Sequence, residues 1–248
     1  MMECISLLGY AACAPDQAFR ASLSLPVEDI DRNTIPAMLR RRSSQAIQMA
    51  FSVATAACVH ANRSPAGLPS IFASVAGEIQ TTDLLCNELV KPDGVISPSA
   101  FHNSVQNTAA GYWCIAQQCT HPASALAAGS DTVAMALLEA WSQLACYGGE
   151  LLLVCYDEQW PEYLDPGKGR PAFACAMVLA AGAVPGSLLS IGRPKQGSVA
   201  FPAEYASLTQ AMPVLSCIPL LEFAACGGEA RDVSLSAQLP GWQVRVGS

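Results

Sequence analysis

The sequence predicts a layered α/β domain, in which a mostly parallel sheet of about five strands carries helices on both faces. Short apolar runs alternate along the chain with longer stretches whose apolar residues recur at helical spacing. The run from Glu150 to Tyr156 lacks polar alternation, which is typical of a parallel strand covered on both faces. The stretch from Asp131 to Cys146 is apolar nearly all round, which indicates a helix buried on every side.

The first part of the chain is predicted to supply two strands and the helix between them. Residues 3–11 form an apolar run that we expect as a buried strand, and the polar, Pro-containing residues 26–31 are expected in a loop. The pair Ser43–Ser44 offers an N-cap to a helix that runs to about Cys58. Residues 68–76 are apolar and partly β-branched, and they predict the second strand.

The remaining elements are predicted in the same way, from apolar spacing and from turn chemistry. Helices are expected over residues 81–90, 104–118 and 131–146. Strands are expected over residues 123–126, 150–156 and 172–181. The tail, residues 187–248, is expected to be irregular apart from two strands, over residues 187–191 and 243–246. The strand order we expect is 3-2-1-4-5.

Composition limits the number of domains and the kinds of partner. A length of 248 residues with 52% hydrophobic content allows a single domain, residues 1–248, with a large core. Charged residues make up only 13%, about half the usual share, which suggests that another subunit covers part of the surface. The alternative is a monomeric core with an Ala-rich surface. The net charge of −7 and the scattered basic residues argue against a nucleic-acid partner.

Charge and cysteine content exclude further classes of site. Arg40–Arg42 is either a solvated approach to a helix or a contact for an acidic partner such as a carrier protein. Most of the eleven cysteines sit in apolar runs, and no CxxC pair occurs, so we expect reduced thiols, no metal, no cofactor and a cytoplasmic location. No apolar stretch reaches about 18 uninterrupted residues, so no membrane span is expected.

Four segments between about residues 70 and 160 resemble the β-ketoacyl synthase family, in the family's order and spacing. Ile71–Glu78 is similar to a strand followed by Gly-Glu, and Ile96–Gly111 is similar to the family's Ser-Pro-x-x-Phe … Asn-x-x-Ala-Gly segment. Ala127–Thr132 resembles the turn into the buried helix, and Leu153–Glu158 resembles the strand with an acidic end that follows it. Each motif alone is weak, and their order makes the resemblance fairly specific.

The resemblance implies the fold of one thiolase-like half, with the second half of a full synthase missing. In the family, the helix equivalent to residues 131–146 packs beside its pseudo-symmetric twin. In this chain the tail, residues 187–248, is therefore expected to cover that helix. The sequence is most similar to shortened subunits of aryl polyene and related type II fatty-acid-like pathways, which act as chain length factors for a full ketosynthase.

The resemblance also implies that the chain does not catalyse condensation. Placing the family's turn glycine on Gly129 puts the nucleophile position, three residues earlier, on Leu126, and leucine cannot be acylated. Condensation needs a reactive thiolate and, in this family, two downstream histidines. The chain has no histidine after His121. No catalytic residue is therefore expected, and Leu126 is a degenerate nucleophile position.

The alternative is an independent, Cys-dependent acyltransferase or hydrolase that acts on acyl-carrier-protein thioesters. Cys119 and His121 are close in sequence, but residues i and i+2 point apart on a helix and at best share one face of a strand. A serine hydrolase is not indicated, since no Gly-x-Ser-x-Gly elbow occurs.

A partner follows from the same resemblance. In the family, the strand before the nucleophile pairs antiparallel with its equivalent across a two-fold axis, so residues 121–126 are expected to pair with a full-length β-ketoacyl-ACP synthase. Acyl carrier protein would be reached through that heterodimer. The segment equivalent to residues 100–108 lines the partner's acyl pocket, which makes six residues candidates for the tunnel or the interface: Ala100, Phe101, His102, Val105, Gln106 and Thr108. For each of them, ordinary interface packing is the alternative.

Overall fold

The computed structural model of the protein describes residues 2–164 and 170–247. Its strands are β1 (Cys4–Cys13), β2 (Ser70–Ala73), β3 (Ala123–Leu126), β4 (Glu150–Asp157), β5 (Phe173–Ala181), β6 (Leu189–Gly192), β7 (Lys195–Gly197), β8 (Arg231–Ser234) and β9 (Gly241–Gly247). Its α-helices are α1 (Gln17–Ala21), α2 (Ala37–Arg40), α3 (Gln45–His60), α4 (Ile79–Leu89), α5 (Pro98–Asn103), α6 (Thr108–Gln117), α7 (Thr132–Tyr147), α8 (Ala203–Ala211) and α9 (Ile218–Cys226).

The strands form one sheet in the order β3-β2-β4-β5-β1-β6-β9-β7, and β8 also pairs with β9. The layered α/β architecture is confirmed. In the described residues the sheet differs from the prediction in three ways: it has nine strands instead of five, its order is not 3-2-1-4-5, and only the β2–β3 and β2–β4 strand pairings are parallel. The prediction of a mostly parallel sheet failed because an apolar run indicates only that both faces of a strand are buried. Strand β4 is buried on both faces and yet pairs antiparallel with β5.

Helices do lie on both faces of the sheet, as predicted. One face carries α3 and α6, where the rings of Phe51 and Trp113 meet edge to face with centroids 5.2 Å apart. The other face carries α7, α9 and the short 3-10 helix Pro213–Cys217. The central strands are therefore buried on both sides, and each face contributes an apolar core.

Helix α7 is buried along most of its length and exposed at its end. Val133, Leu137 and Leu144 are buried in the core, whereas Tyr147 in the last turn is 86% exposed. The prediction of burial on every side is therefore wrong, because Ser142 and the last turn are exposed. Apolar composition cannot distinguish a surface covered within the chain from one left open for another molecule.

The tail is more regular than predicted. Its described part contains four strands, β6 to β9, and two helices, α8 and α9, so its expected irregular character is wrong. Strands β6 and β9 lie where two strands were predicted. The expectation that the tail covers α7 agrees with the packing of α7 beside Pro213–Cys217.

Parallel pairing brings the ends of three strands to one edge of the sheet. Ala73 of β2 lies opposite Leu126 of β3 on one side and opposite Cys155 of β4 on the other. The residues that follow these strands therefore meet at the carboxyl edge, which is where ligands and reacting groups gather in open α/β sheets.

Candidate functional site

Among the residues that the structure describes, strand β3 lies at the end of the sheet and pairs with β2 on one side only. Its side chains alternate between exposed and half-buried, so neither face of this strand is fully covered by the described residues. The predicted strand is confirmed as Ala123–Leu126, while its pairing with a partner remains a prediction. An unpaired edge presents free N–H and C=O groups, and proteins usually cover or protect such an edge.

Leu126, the predicted nucleophile position, ends this edge strand. Its carbonyl accepts a hydrogen bond from the amide of Ser74 at 3.1 Å. The turn that follows is closed by Thr132, whose hydroxyl accepts from the amide of Ala128 at 3.0 Å and donates to the carbonyl of Gly129 at 2.8 Å. Gly129 has a φ of +56°, a conformation that favours glycine. The backbone thus forms a closed turn between α7 and Leu126, whose side chain cannot act as a nucleophile.

The positions of the histidines and cysteines do not support a catalytic Cys–His pair such as Cys119 with His121. Cys119 is buried, and its thiol donates to the carbonyl of Leu68 at 3.5 Å. His121 is exposed and precedes the amino end of β3, whereas Leu126 lies at the carboxyl end. His60 lies at the end of α3, where its Nδ1 is 2.9 Å from the carbonyl oxygen of Tyr10.

A buried carboxyl group lies next to the ends of β2 and β4. The hydroxyl of Ser74 donates to Oδ1 of Asp157 at 2.6 Å, and the amides of Val75 and Ala76 donate to the same oxygen at 3.0 and 3.3 Å. Burial raises the pKa of Asp157 to about 6, although these three donors lower it. Asp157 therefore holds the chain where it leaves β2.

Two further carboxyl groups join helix N-termini at the same edge. Glu158 accepts from the amides of Gln80 at 3.1 Å and Ala46 at 3.4 Å, in the first turns of α4 and α3. Burial raises the pKa of Glu158 to about 7, although those two hydrogen bonds lower it. Burial also raises the pKa of Glu78 to about 7, although a hydrogen bond from Ser44 lowers it. The Oε1 atom of Glu78 has no hydrogen-bond partner in the described residues.

These three carboxyl groups were not predicted as site residues. The sequence signal was present, since an acidic pair follows the apolar run of β4 and Gly77-Glu78 follows β2. Both motifs served only to support the family resemblance. Their burial depends on contacts between segments about eighty residues apart, which no local pattern reports.

The predicted tunnel residues fall into two groups. Phe101 and Val105 are 64% and 49% exposed, and His102 is also exposed, so these side chains are open to another molecule. Ala100 is half-buried on α5. Gln106 differs: its amide nitrogen donates to the carbonyl of Ser74 at 2.9 Å.

Thr108 also makes its hydrogen bonds within its own chain. It is buried, and its hydroxyl donates to the carbonyls of Asn103 and Val105 at 2.9 and 2.8 Å. Asn103 is anchored in turn, because its side-chain nitrogen donates to the carbonyl of Arg42 at 2.8 Å and its oxygen accepts from the hydroxyl of Tyr112 at 2.6 Å. The connection between α5 and α6 is therefore fastened on its inner side.

Large apolar side chains are exposed all along the segment from α4 to α6. Helices α4 and α5 pack against each other. The exposed residues are Leu84, Leu89, Val90, Val95, Phe101, Val105 and Ile115. A large exposed apolar region is typical of a protein–protein contact.

Residues 2–164 and 170–247 contain neither a candidate metal site nor a helix that could span a membrane. No group of three or more His, Cys, Asp and Glu side chains is arranged to hold a metal ion in this part of the chain. Among the helices of the same residues, none is both long enough and apolar enough to cross a membrane.

Comparison with known proteins gives a family and several similar folds. Residues 15–231 match the family described as β-ketoacyl synthase, N-terminal domain. No curated protein matches the chain. One chain of the ketosynthase ApeO in complex with its chain length factor ApeC from Xenorhabdus doucetiae has a similar fold, with 21% identity, a TM-score of 0.70 and 99% of each chain covered.

Two further complexes contain chains of similar fold. The ishigamide ketosynthase/chain length factor shares 13% identity, with a TM-score of 0.69 and 98% of each chain covered. A complex named AntDE:AntF, of a type II PKS acyl-carrier protein with its ketosynthase bound to the hexaketide, shares 10% identity, with a TM-score of 0.73 and 100% of each chain covered. At these identities the likeness concerns the fold, and it confirms the predicted thiolase-like architecture.

Proposed function

Because the chain belongs to the β-ketoacyl synthase family through its N-terminal domain, we propose that it is a non-catalytic subunit similar to a chain length factor. In this role it forms a heterodimer with an active β-ketoacyl-ACP synthase and shapes that enzyme's acyl tunnel. The observation that carries the proposal is Leu126. This side chain has no nucleophilic chemistry, and it lies where the family resemblance puts the nucleophile, at the end of a strand that in the described residues pairs with β2 on one side and has a free edge on the other.

The chemistry at Leu126 supports a non-catalytic role. Covalent acyl transfer needs a nucleophile that is activated by a neighbouring base or by a lowered pKa. Leu126 provides none. A hydrogen bond with Cys175 and, after it, desolvation raise the pKa of the buried Cys155 thiol well above its ordinary value. A buried thiol with a raised pKa is a poor nucleophile. The active cysteine is therefore assigned to the partner.

The free edge of β3 supports the heterodimer. The carbonyls of Pro122 and Leu126 accept from the amides of Ser70 and Ser74 of the adjoining chain segment. Since the amide and carbonyl of one strand residue point to the same side, those of Ala123 and Ala125 point to the free edge. A second strand can pair there, and the exposed apolar side chains of the α4–α6 segment would extend the contact. Permanent complexes commonly bury more than about 2,000 Å².

The exposed α5 segment supports a role in determining the length of the acyl product. Phe101, His102 and Val105 are open on the chain itself, and Ala100 is half-buried beside them. We propose that these residues form part of the tunnel wall in the heterodimer. The substrates would be acyl groups on a carrier protein that is reached through the complex, in polyene or fatty-acid-like elongation in the cytoplasm.

Co-expression with the ketosynthase of the same gene cluster tests the heterodimer. Wild-type chain should co-purify with the tagged ketosynthase in equal amounts. Ala125→Pro removes an N–H that points to the free edge and should lower the recovered chain at least ten-fold. Ala125→Val keeps that N–H and should behave as wild type. A wild-type chain that stays monomeric in sedimentation with the ketosynthase present would contradict the proposal.

A further inference from the structure

Gln106 fastens the connection between α5 and α6 to the buried carboxyl edge of the sheet. Its amide nitrogen lies 2.9 Å from the carbonyl oxygen of Ser74, and the hydroxyl of Ser74 lies 2.6 Å from Oδ1 of Asp157. We infer that Gln106, held through Ser74 and Asp157, is a positioning residue that sets the product-length specificity of the assembled complex. This inference rests on the proposed function and assigns Gln106 a role other than lining the tunnel.

Ser74 uses every polar group it has. Its amide donates to the carbonyl of Leu126 at 3.1 Å, and its carbonyl accepts from Gln106. Its hydroxyl donates to Asp157 and accepts from the amide of Gly77 at 2.7 Å. Ser74 and Asp157 are both almost completely buried. The edge strand that ends at Leu126 and the connection that contains Gln106 are therefore held by one buried residue.

The side chain of Gln106 has little freedom of its own. A Cβ added at Gly77 would lie 2.6 Å from the side-chain oxygen of Gln106, so this oxygen is packed directly against the backbone of Gly77. Gly77 has a φ of +56°, so glycine is also favoured there by the backbone. Gln106 is thus confined between Gly77 and the carbonyl of Ser74, and its position follows the turn after β2.

The exposed side chains of α5 depend on these contacts for their position. Helix α5 has only six residues, and an isolated helix of that length does not hold its own structure in water. Asn103 fastens its end to the carbonyl of Arg42, and Gln106 fastens the connection that follows. Phe101 is exposed just before the first of these attachments, and Val105 is exposed between them.

A wall that selects chain length has to be placed accurately. A binding or reacting arrangement works when its side chains are held to within about 0.5 Å, and packing and hydrogen bonds behind them provide that precision. Loss of the Gln106 hydrogen bond would let the α5 segment move without changing any side chain that faces the acyl group. The expected result is a change in which products are released, while the complex remains assembled.

The experiment compares variants in the reconstituted heterodimer with its partner ketosynthase. Gln106→Leu keeps the size of the side chain and removes the donor. Ser74→Ala removes the hydroxyl that donates to Asp157 and accepts from Gly77, and it leaves the carbonyl that Gln106 contacts. Gln196→Leu, on β7 at the far end of the sheet, is the matched control, and Phe101→Ala reports on the proposed tunnel wall itself. Product lengths are measured by mass spectrometry, and amide hydrogen exchange is measured over residues 99–105 in the complex.

Gln106→Leu is expected to broaden the product-length distribution at least two-fold and to speed amide exchange over residues 99–105 at least ten-fold. Recovery of the complex should be unchanged. Ser74→Ala should shift both readouts in the same direction by less, and Gln196→Leu should match wild type.

Three results would overturn the inference. If Phe101→Ala changes the product lengths and Gln106→Leu does not, the positioning role is wrong and the proposed function stands. If neither variant changes the products of an assembled complex, the tunnel role itself fails and the inference fails with it. If Gln106→Leu abolishes co-purification, Gln106 is an ordinary interface contact.

Discussion

The hydroxyl of Ser74 lies 2.6 Å from Oδ1 of Asp157, and this hydrogen bond joins residues 83 positions apart in the chain. It ties the end of β2 to the end of β4 at the edge of the sheet where Leu126 also lies. An ionised carboxyl group that is buried needs such donors, because leaving it without them costs several kcal/mol. The pair therefore stabilises the part of the fold from which the proposed partner surface extends.

Replacing Ser74 should destabilise the protein in a pH-dependent way. Ser74→Ala removes a donor from Asp157, whose pKa burial raises to about 6. The loss should be about 1–3 kcal/mol at pH 8, where Asp157 is ionised, and smaller at pH 5, where the protonated carboxyl needs the donor less. Thermal unfolding at both pH values measures the difference. Ser142→Ala, at an exposed position of α7, is the control, and an equal loss at both pH values would argue against an ionised Asp157.

Replacing Glu78 should stabilise the protein at high pH. Burial raises the pKa of Glu78 from 4.5 to about 7, so the folded state binds this proton more tightly than the unfolded chain does. The stability that Glu78 contributes is therefore fully present below pH 4.5 and is lost as the pH rises to about 7. Glu78→Gln should avoid a loss of about 3 kcal/mol at pH 8 and have little effect at pH 4.5.

The matched control for Glu78 is Glu229→Gln, because Glu229 is exposed. The midpoint of thermal unfolding is measured from pH 4.5 to pH 8 for both variants and wild type. A Glu78→Gln midpoint that follows wild type across the whole range would mean that the Glu78 carboxyl is ionised at little cost.

Restoring a thiol at the degenerate position should not restore condensation. Leu126→Cys adds a nucleophile, but the chain has no histidine after His121 to assist it. The partner's cysteine should remain essential, and the complex should carry one acyl group per heterodimer. Mass spectrometry of the acylated complex measures the site of loading. An acyl adduct on the wild-type chain would show that this subunit is catalytic.

Cysteine labelling tests the alternative of a Cys-dependent enzyme. Cys86, Cys146 and Cys226 are exposed and should react first with iodoacetamide in the folded protein. Cys155 and Cys175 are fully buried with raised pKa values, so they should react only after unfolding. Peptide mapping at short times gives the order, and the denatured protein is the control. A buried cysteine that reacts before the exposed ones would favour the enzyme.

Two neighbouring leucines of α7 differ in burial and therefore test the orientation of that helix against the sheet. Leu137 is fully buried, whereas Leu138 is only partly buried. Leu137→Ala should lower the free energy of unfolding by about 2–5 kcal/mol, because it leaves a cavity in the core that α7 shares with the sheet. Leu138→Ala should cost less than about 1.5 kcal/mol. Urea unfolding of both variants measures the difference, and equal losses would contradict the observed orientation.

Local sequence patterns predicted many single elements correctly. The N-cap expected at Ser44 is confirmed, since its hydroxyl accepts from the amide of Ile47 at 3.1 Å. Strands β4 and β5 and helix α7 lie close to their predicted bounds. The helix predicted over residues 104–118 begins later, at Thr108, and a separate helix, α5, forms at Pro98, where Ser97 caps it. A proline at the first helical position was the signal that could have revealed it.

The candidate site was predicted in part. Position 126, the α5 segment and the edge strand all follow from motifs that lie close together in the chain. The division between outward residues such as Phe101 and anchored residues such as Gln106 did not follow, because both are found in the same short segment. Which of them faces outward depends on Ser74, a residue about thirty positions away.

What the sequence by itself determined is the identity and approximate bounds of the main elements, the family resemblance and the leucine at position 126, where that resemblance predicts the nucleophile. Those properties are local, because helical and strand periods and single side chains can be read within one segment. Only the tertiary structure decided the strand order, the regular tail and the burial of Asp157, Glu158 and Glu78. Each of these depends on the free energy with which distant segments pack, and several packings of the same elements satisfy the same local pattern.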